Sequence, residues 1–173
     1  DYIGAPPAKM TDNALAALQL VFANLNKSGP FPDPTRVAIV GHSMGGVIAI
    51  NLAAAMKEAS LPEPKAVLSV EPCKTESITR ETLIPLADLS TLPPDMLLIT
   101  MAGADDYLAG DHDARRLIAN TSQIKPDRKL MLVVPSDDHG QPALVADHAS
   151  PAAPDDDMDS SQAQEINDDS AVK

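Results

Sequence analysis

The sequence predicts an α/β fold, a mostly parallel sheet with helices on both faces. Three observations carry this. Four short apolar runs recur along the chain, none of them alternates polar with apolar residues, and stretches with helical spacing lie before and between them. Continuous apolar runs of four to six residues suit strands buried on both faces of a parallel sheet. Strand–helix alternation implies crossover connections, right-handed by strong preference, that lay helices against that sheet.

Taken in chain order, Thr11 or Asp12 caps a first helix reaching about Lys27, with Leu15, Leu18, Phe22 and Leu25 on one face and Gly29 as the stop. The run 37–40 (Val-Ala-Ile-Val) is the first strand, and a helix of small and apolar residues follows from Met44 to about Ala59. The run 66–70 (Ala-Val-Leu-Ser-Val) is the second strand. Pro72, Pro85, Pro93 and Pro94 break up residues 71–95, which read as a loop with one short helix around 77–83. The third strand is 96–101, a helix starts near Asp111 or Asp113 and carries Leu117 and Ile118, and the fourth strand is 130–134.

Composition bounds what such a fold can do. The chain has 173 residues, 44% of them hydrophobic, which suits one domain with a packed core. Aromatics are 2% and Trp is absent, so that core is aliphatic. A formal charge of −12 argues against nucleic acid or an anionic membrane surface as partner. No apolar run reaches the ~20 residues of a membrane helix. A single cysteine, Cys73, rules out an internal disulfide. The charge is uneven: residues 155–173 hold seven acidic side chains and one basic. Two units are therefore expected, a folded core over 1–150 and an acidic, solvated segment over 151–173. The aspartates at 155–159 lack the glycine and the closing glutamate of a calcium loop, so no metal is assigned to them.

The residues that carry chemistry follow the first strand. Gly41-His42-Ser43-Met44-Gly45-Gly46 contains G-x-S-x-G. The pattern is short, and its context is what raises it: a buried strand ends, the motif comes at once, and an apolar helix begins. That is the strand–turn–helix of a nucleophile elbow. Such a turn forces Ser43 into an unfavourable backbone conformation, costing on the order of 1–3 kcal/mol. Gly41 and Gly45 are expected to lack a Cβ so that strand and helix can approach. The helix N-terminus then aims free N–H groups at the same place, and the Met44 N–H is the candidate oxyanion donor.

From Asp33 to Gly46, and above all in the Gly-His-Ser-Met-Gly-Gly form, the sequence resembles the esterases, lipases and thioesterases of the α/β-hydrolase superfamily. The resemblance spans about residues 10–150 and corresponds to the last four strands of that fold. It implies a serine nucleophile, then an acid, then a histidine along the chain, each just past a strand end. The family's acid turn often reads Gly-x-x-Asp, which selects Asp106 after the third strand, with Asp105 as its alternative. After the fourth strand His139 is the expected base and His148, nine residues on, its rival. His42 is expected to face away from Ser43 and support the elbow, and His112 to sit on the surface.

The implied activity is hydrolysis of a carboxylic ester, small or polymeric, through Ser43, His139 and Asp106, with no metal or organic cofactor. A thioesterase, an amidase or a binding module that lost catalysis are the alternatives. The short connection over 71–95 leaves no room for a large cap and implies an open site. The family's earlier strands, with the loop giving the second oxyanion donor, would precede Asp1. The chain thus reads as a piece of a larger protein, expected on its own to dissolve poorly and act weakly.

Overall fold

The computed structural model describes residues 6–24, 33–73, 75, 84–136 and 146–148. Its frame is a four-stranded, wholly parallel sheet: β1 (Ala38–His42), β2 (Ala66–Val70), β3 (Leu97–Gly103) and β4 (Lys129–Val134), lying side by side in chain order. Three helices are described, α1 (Pro7–Asn24), α2 (Met44–Met56) and α3 (His112–Ala119). The strands fall where the apolar runs lie, β1, β3 and β4 displaced by a residue or two at one or both ends. Helix α1 begins four residues earlier than Thr11, because Pro7 supplies a helical φ without needing a backbone N–H. The stretch expected to hold a short helix around 77–83, and the acidic unit 151–173, lie outside the described residues.

The core gathers on one face of the sheet. Val67 and Leu98, paired in register, meet Ala49, Ile50, Ala53 and Ala54 of α2 and Leu117 of α3. Helix α2 has almost no polar side because it is covered all round: Val47, Ile50 and Met56 are fully buried under α1 and over β1 and β2. Its one buried polar side chain, Asn51, donates to Pro85 O (2.8 Å) and accepts from Ala87 N–H (2.9 Å), so the β2–β3 connection is fastened to α2. No described helix is long and apolar enough to cross a membrane.

Parallel strands all point the same way, so everything that follows a strand collects at one edge. Ser43 follows β1, Glu71 follows β2 and Asp106 lies three residues beyond β3.

Candidate active site

Ser43 sits between β1 and α2 at φ 59°, ψ −129°, the strained turn that the sequence pattern demands. Its N–H donates to Val70 O (2.9 Å), which ties the turn to β2. The glycines divide the work differently from the expectation. A Cβ on Gly41 would lie 2.0 Å from Gly45 O, so Gly41 must be bare. A Cβ on Gly45 would meet nothing within 4 Å, because it is the backbone of Gly45, not its missing side chain, that faces the strand. Gly46 takes the packing role instead: a Cβ there would lie 2.9 Å from Ser69 Oγ and 3.2 Å from Pro72 Cα.

Asp106 is buried, and its two oxygens are divided between two tasks. Oδ1 accepts from the N–H groups of Leu108 (2.9 Å) and Ala109 (2.8 Å), capping the turn after β3. Oδ2 lies 2.9 Å from His148 Nδ1. The other ring nitrogen, His148 Nε2, lies 2.8 Å from Ser43 Oγ. Asp105, its alternative, is half-buried and donates its N–H to Ala146 O (3.2 Å). His139, the imidazole expected beside Ser43, lies outside the described residues; the imidazole that meets the serine is that of His148. Proximity to the end of β4 favoured the earlier histidine. The seat for the later one is cut by Gly103, where a Cβ would lie 1.9 Å from Ala146 O. Met44 opens α2, so its N–H belongs to the first helical turn, whose amides have no intrahelical acceptor.

Two further side chains enter the site that the sequence did not single out. Cys73 Sγ lies 3.3 Å from Ser43 Oγ. Glu71 has a wholly buried carboxyl: Oε1 accepts from Gly103 N–H (3.1 Å), and Oε2 lies 3.2 Å from His42 Nε2 and 3.6 Å from His148 Nδ1. Burial holds this carboxyl above its ordinary 4.5 and the Asp106 charge adds to the rise, against the hydrogen bonds from His42 and Gly103. Its place immediately after a buried strand was the available signal, the same one that picks out Ser43. His42 itself turns from the serine, as expected, toward Glu71 and the carbonyl of His148 (2.7 Å). His42, Glu71 and His148 put ligand-capable atoms within 4.8 Å of one another, the arrangement among the described residues nearest to a metal site. Each of those side chains is engaged in the hydrogen bonds just given.

The family described as alpha/beta hydrolase fold matches residues 1–140. The chain belongs to the α/β-hydrolase family. A search of curated proteins returned no match. Among solved structures it is similar to an α/β-hydrolase enzyme from a Medee basin deep-sea metagenome library (18% identity, TM-score 0.56, 73% of this chain on 48% of that one). It is also similar to a carboxylesterase from Lactobacillus plantarum (14%, 0.56, 92% on 64%) and an esterase from Pyrococcus furiosus (14%, 0.53, 77% on 56%). At such identities the likeness is one of fold. The chain spans about half to two thirds of the length of these relatives.

Proposed function

We propose that this α/β-hydrolase chain carries a serine hydrolase site for carboxylic esters, with Ser43 as nucleophile, His148 as general base and Asp106 as the orienting acid. The base is thus reassigned from His139. The single observation behind this reading is the pair of hydrogen-bond distances on one imidazole, 2.8 Å to Ser43 Oγ and 2.9 Å to Asp106 Oδ2. With Asp106 accepting at Nδ1, the proton of neutral His148 resides there, and Nε2 is the free base facing the hydroxyl.

As Ser43 Oγ attacks the acyl carbon, its proton passes to His148 Nε2, and the Asp106 carboxylate stabilises the imidazolium that forms. The Met44 N–H supplies one donor to the oxyanion, a contribution of roughly 2.7–4 kcal/mol in comparable sites. His148 then protonates the leaving alcohol, and water, activated by the same imidazole, releases the acid. The shortness of the 71–95 connection, which leaves no room for a large cap, supports a site open to small or polymeric esters.

A fluorophosphonate probe on the full-length protein tests the assignment. Labelling should vanish in Ser43→Ala, fall at least ~10³-fold in His148→Ala, and persist in His139→Ala. Labelling that survives at His148→Ala but is lost at His139→Ala overturns it. Parallel ester, thioester and amide substrates decide the bond cleaved.

A further inference from the structure

We propose that His42, oriented by Glu71, is a positioning residue that holds the reacting histidine by its backbone, donating from Nε2 to the carbonyl of His148. The inference rests on the hydrolase reading above and deepens it.

Ser43 and Asp106 fix the His148 ring, but the segment that carries the ring must also be held in place. One tie comes from the turn after β3: Asp105 N–H donates to Ala146 O at 3.2 Å, a carbonyl for which Gly103 leaves room. Another is His42 Nε2, 2.7 Å from His148 O. A carbonyl oxygen only accepts, so Nε2 carries the hydrogen and the His42 tautomer is fixed. Glu71 reinforces that tautomer, sharing the same hydrogen as a second acceptor. Its Oε2 faces the same nitrogen at 3.2 Å, while Oε1 is held by Gly103 N–H, so the carboxyl cannot swing away. Both oxygens of Glu71 therefore face N–H donors, and a neutral amide could satisfy only one of them.

His42 is no core residue: its side chain is 47% exposed. Its ring does stack obliquely on that of His148, centroids 4.9 Å apart, so packing and donation must be separated by experiment. Misplacement of a reacting group by about 1 Å costs on the order of 10²-fold in rate. Loss of the one donor that His42 contributes to this segment is thus expected to show in kcat.

The test compares His42→Phe, which keeps a ring and loses the donor, with His42→Gln, which keeps an N–H at a similar reach and loses the ring. On the full-length protein, His42→Phe should lower kcat and the rate of fluorophosphonate labelling by roughly 10- to 100-fold with KM little changed. His42→Gln should recover most of that loss. Nitrogen-15 NMR of the histidine rings should report His42 as the Nε2–H tautomer, and the His148 carbonyl carbon shift should move in His42→Phe and return in His42→Gln. Glu71→Gln should mix the His42 tautomers. Equal activity of His42→Phe and wild type, equal impairment of Phe and Gln, or an Nδ1–H tautomer at His42 each overturns the proposal. If His42→Phe does not fold, His42→Leu replaces it. Wild-type protein that the probe does not label, while the carbonyl shift still answers to His42, shows that the hydrolase reading has failed and the backbone tie has not; the catalytic role given to His42 falls with that reading.

Discussion

Ser43 at φ 59° holds a conformation that costs about 1–3 kcal/mol and persists only because its neighbours over-determine it. The two glycines that flank it should respond in opposite ways. Gly41→Ala drives a methyl to 2.0 Å from Gly45 O, so strand and helix must part; a loss of several kcal/mol in urea unfolding and of nearly all of the proposed ester hydrolysis is expected. Gly45→Ala meets open space at the start of α2, and there alanine should leave stability unchanged or raise it by up to about 1 kcal/mol. Equal damage from both would contradict the division of roles. Glu71 gives the pH dependence. Because burial raises its pKa, the folded chain binds this proton more tightly than the unfolded chain does. The group's contribution to stability therefore falls as pH rises from about 4.5 through the raised value. Urea unfolding of wild type and Glu71→Gln should show wild type losing ground to the variant as the solution goes from below 4.5 toward neutrality; a constant gap would show that Glu71 titrates normally.

At the scale of elements, the described part of the β2–β3 connection is tied to α2 and α3 by buried polar side chains. Asn51 satisfies Pro85 O and Ala87 N–H from within α2, and the carboxylate of Asp113, in the first turn of α3, accepts from both the backbone N–H (3.1 Å) and the hydroxyl of Thr75. Asn51→Leu fits by size but strands a donor and an acceptor, and should cost about 1–3 kcal/mol for each group left unsatisfied, read as a lowered Tm. A neutral outcome would mean that water reaches both groups. The strands, the helices and the strained turn at Ser43 were legible because each rests on local pattern: an apolar run, a 3.6-residue face, a glycine-flanked turn. The place of the Asp105–Asp106 pair was legible from its distance to a strand end, and the resemblance chose Asp106 within it. The choice between His139 and His148 was not, because it depends on where a segment beyond β4 comes to rest against Gly103 and His42. Glu71 was hidden for a related reason. Its carboxyl has meaning only when β1, β3 and the histidine segment converge on it.

Over the whole molecule, the described helices serve one side of the sheet. On the other, the in-register row Val40, Leu68, Ile99 and Leu130 runs from edge to edge, and its two ends are exposed, Val40 at 68% and Leu130 at 46%. Among the described residues β1 is the edge strand, and it adds its outer backbone to this apolar surface. A parallel sheet is ordinarily covered on both faces, and large exposed apolar patches drive association. The 173-residue chain taken alone should therefore self-associate as its concentration rises, with the association weakening on cooling, as hydrophobic contacts do. Val40→Lys is the informative variant. It places a charge in the middle of the edge strand where the side chain is already solvated, so it should shift the sedimentation profile toward monomer while Tm changes little. A chain that stays monomeric without the substitution would mean that residues outside the described set cover this face.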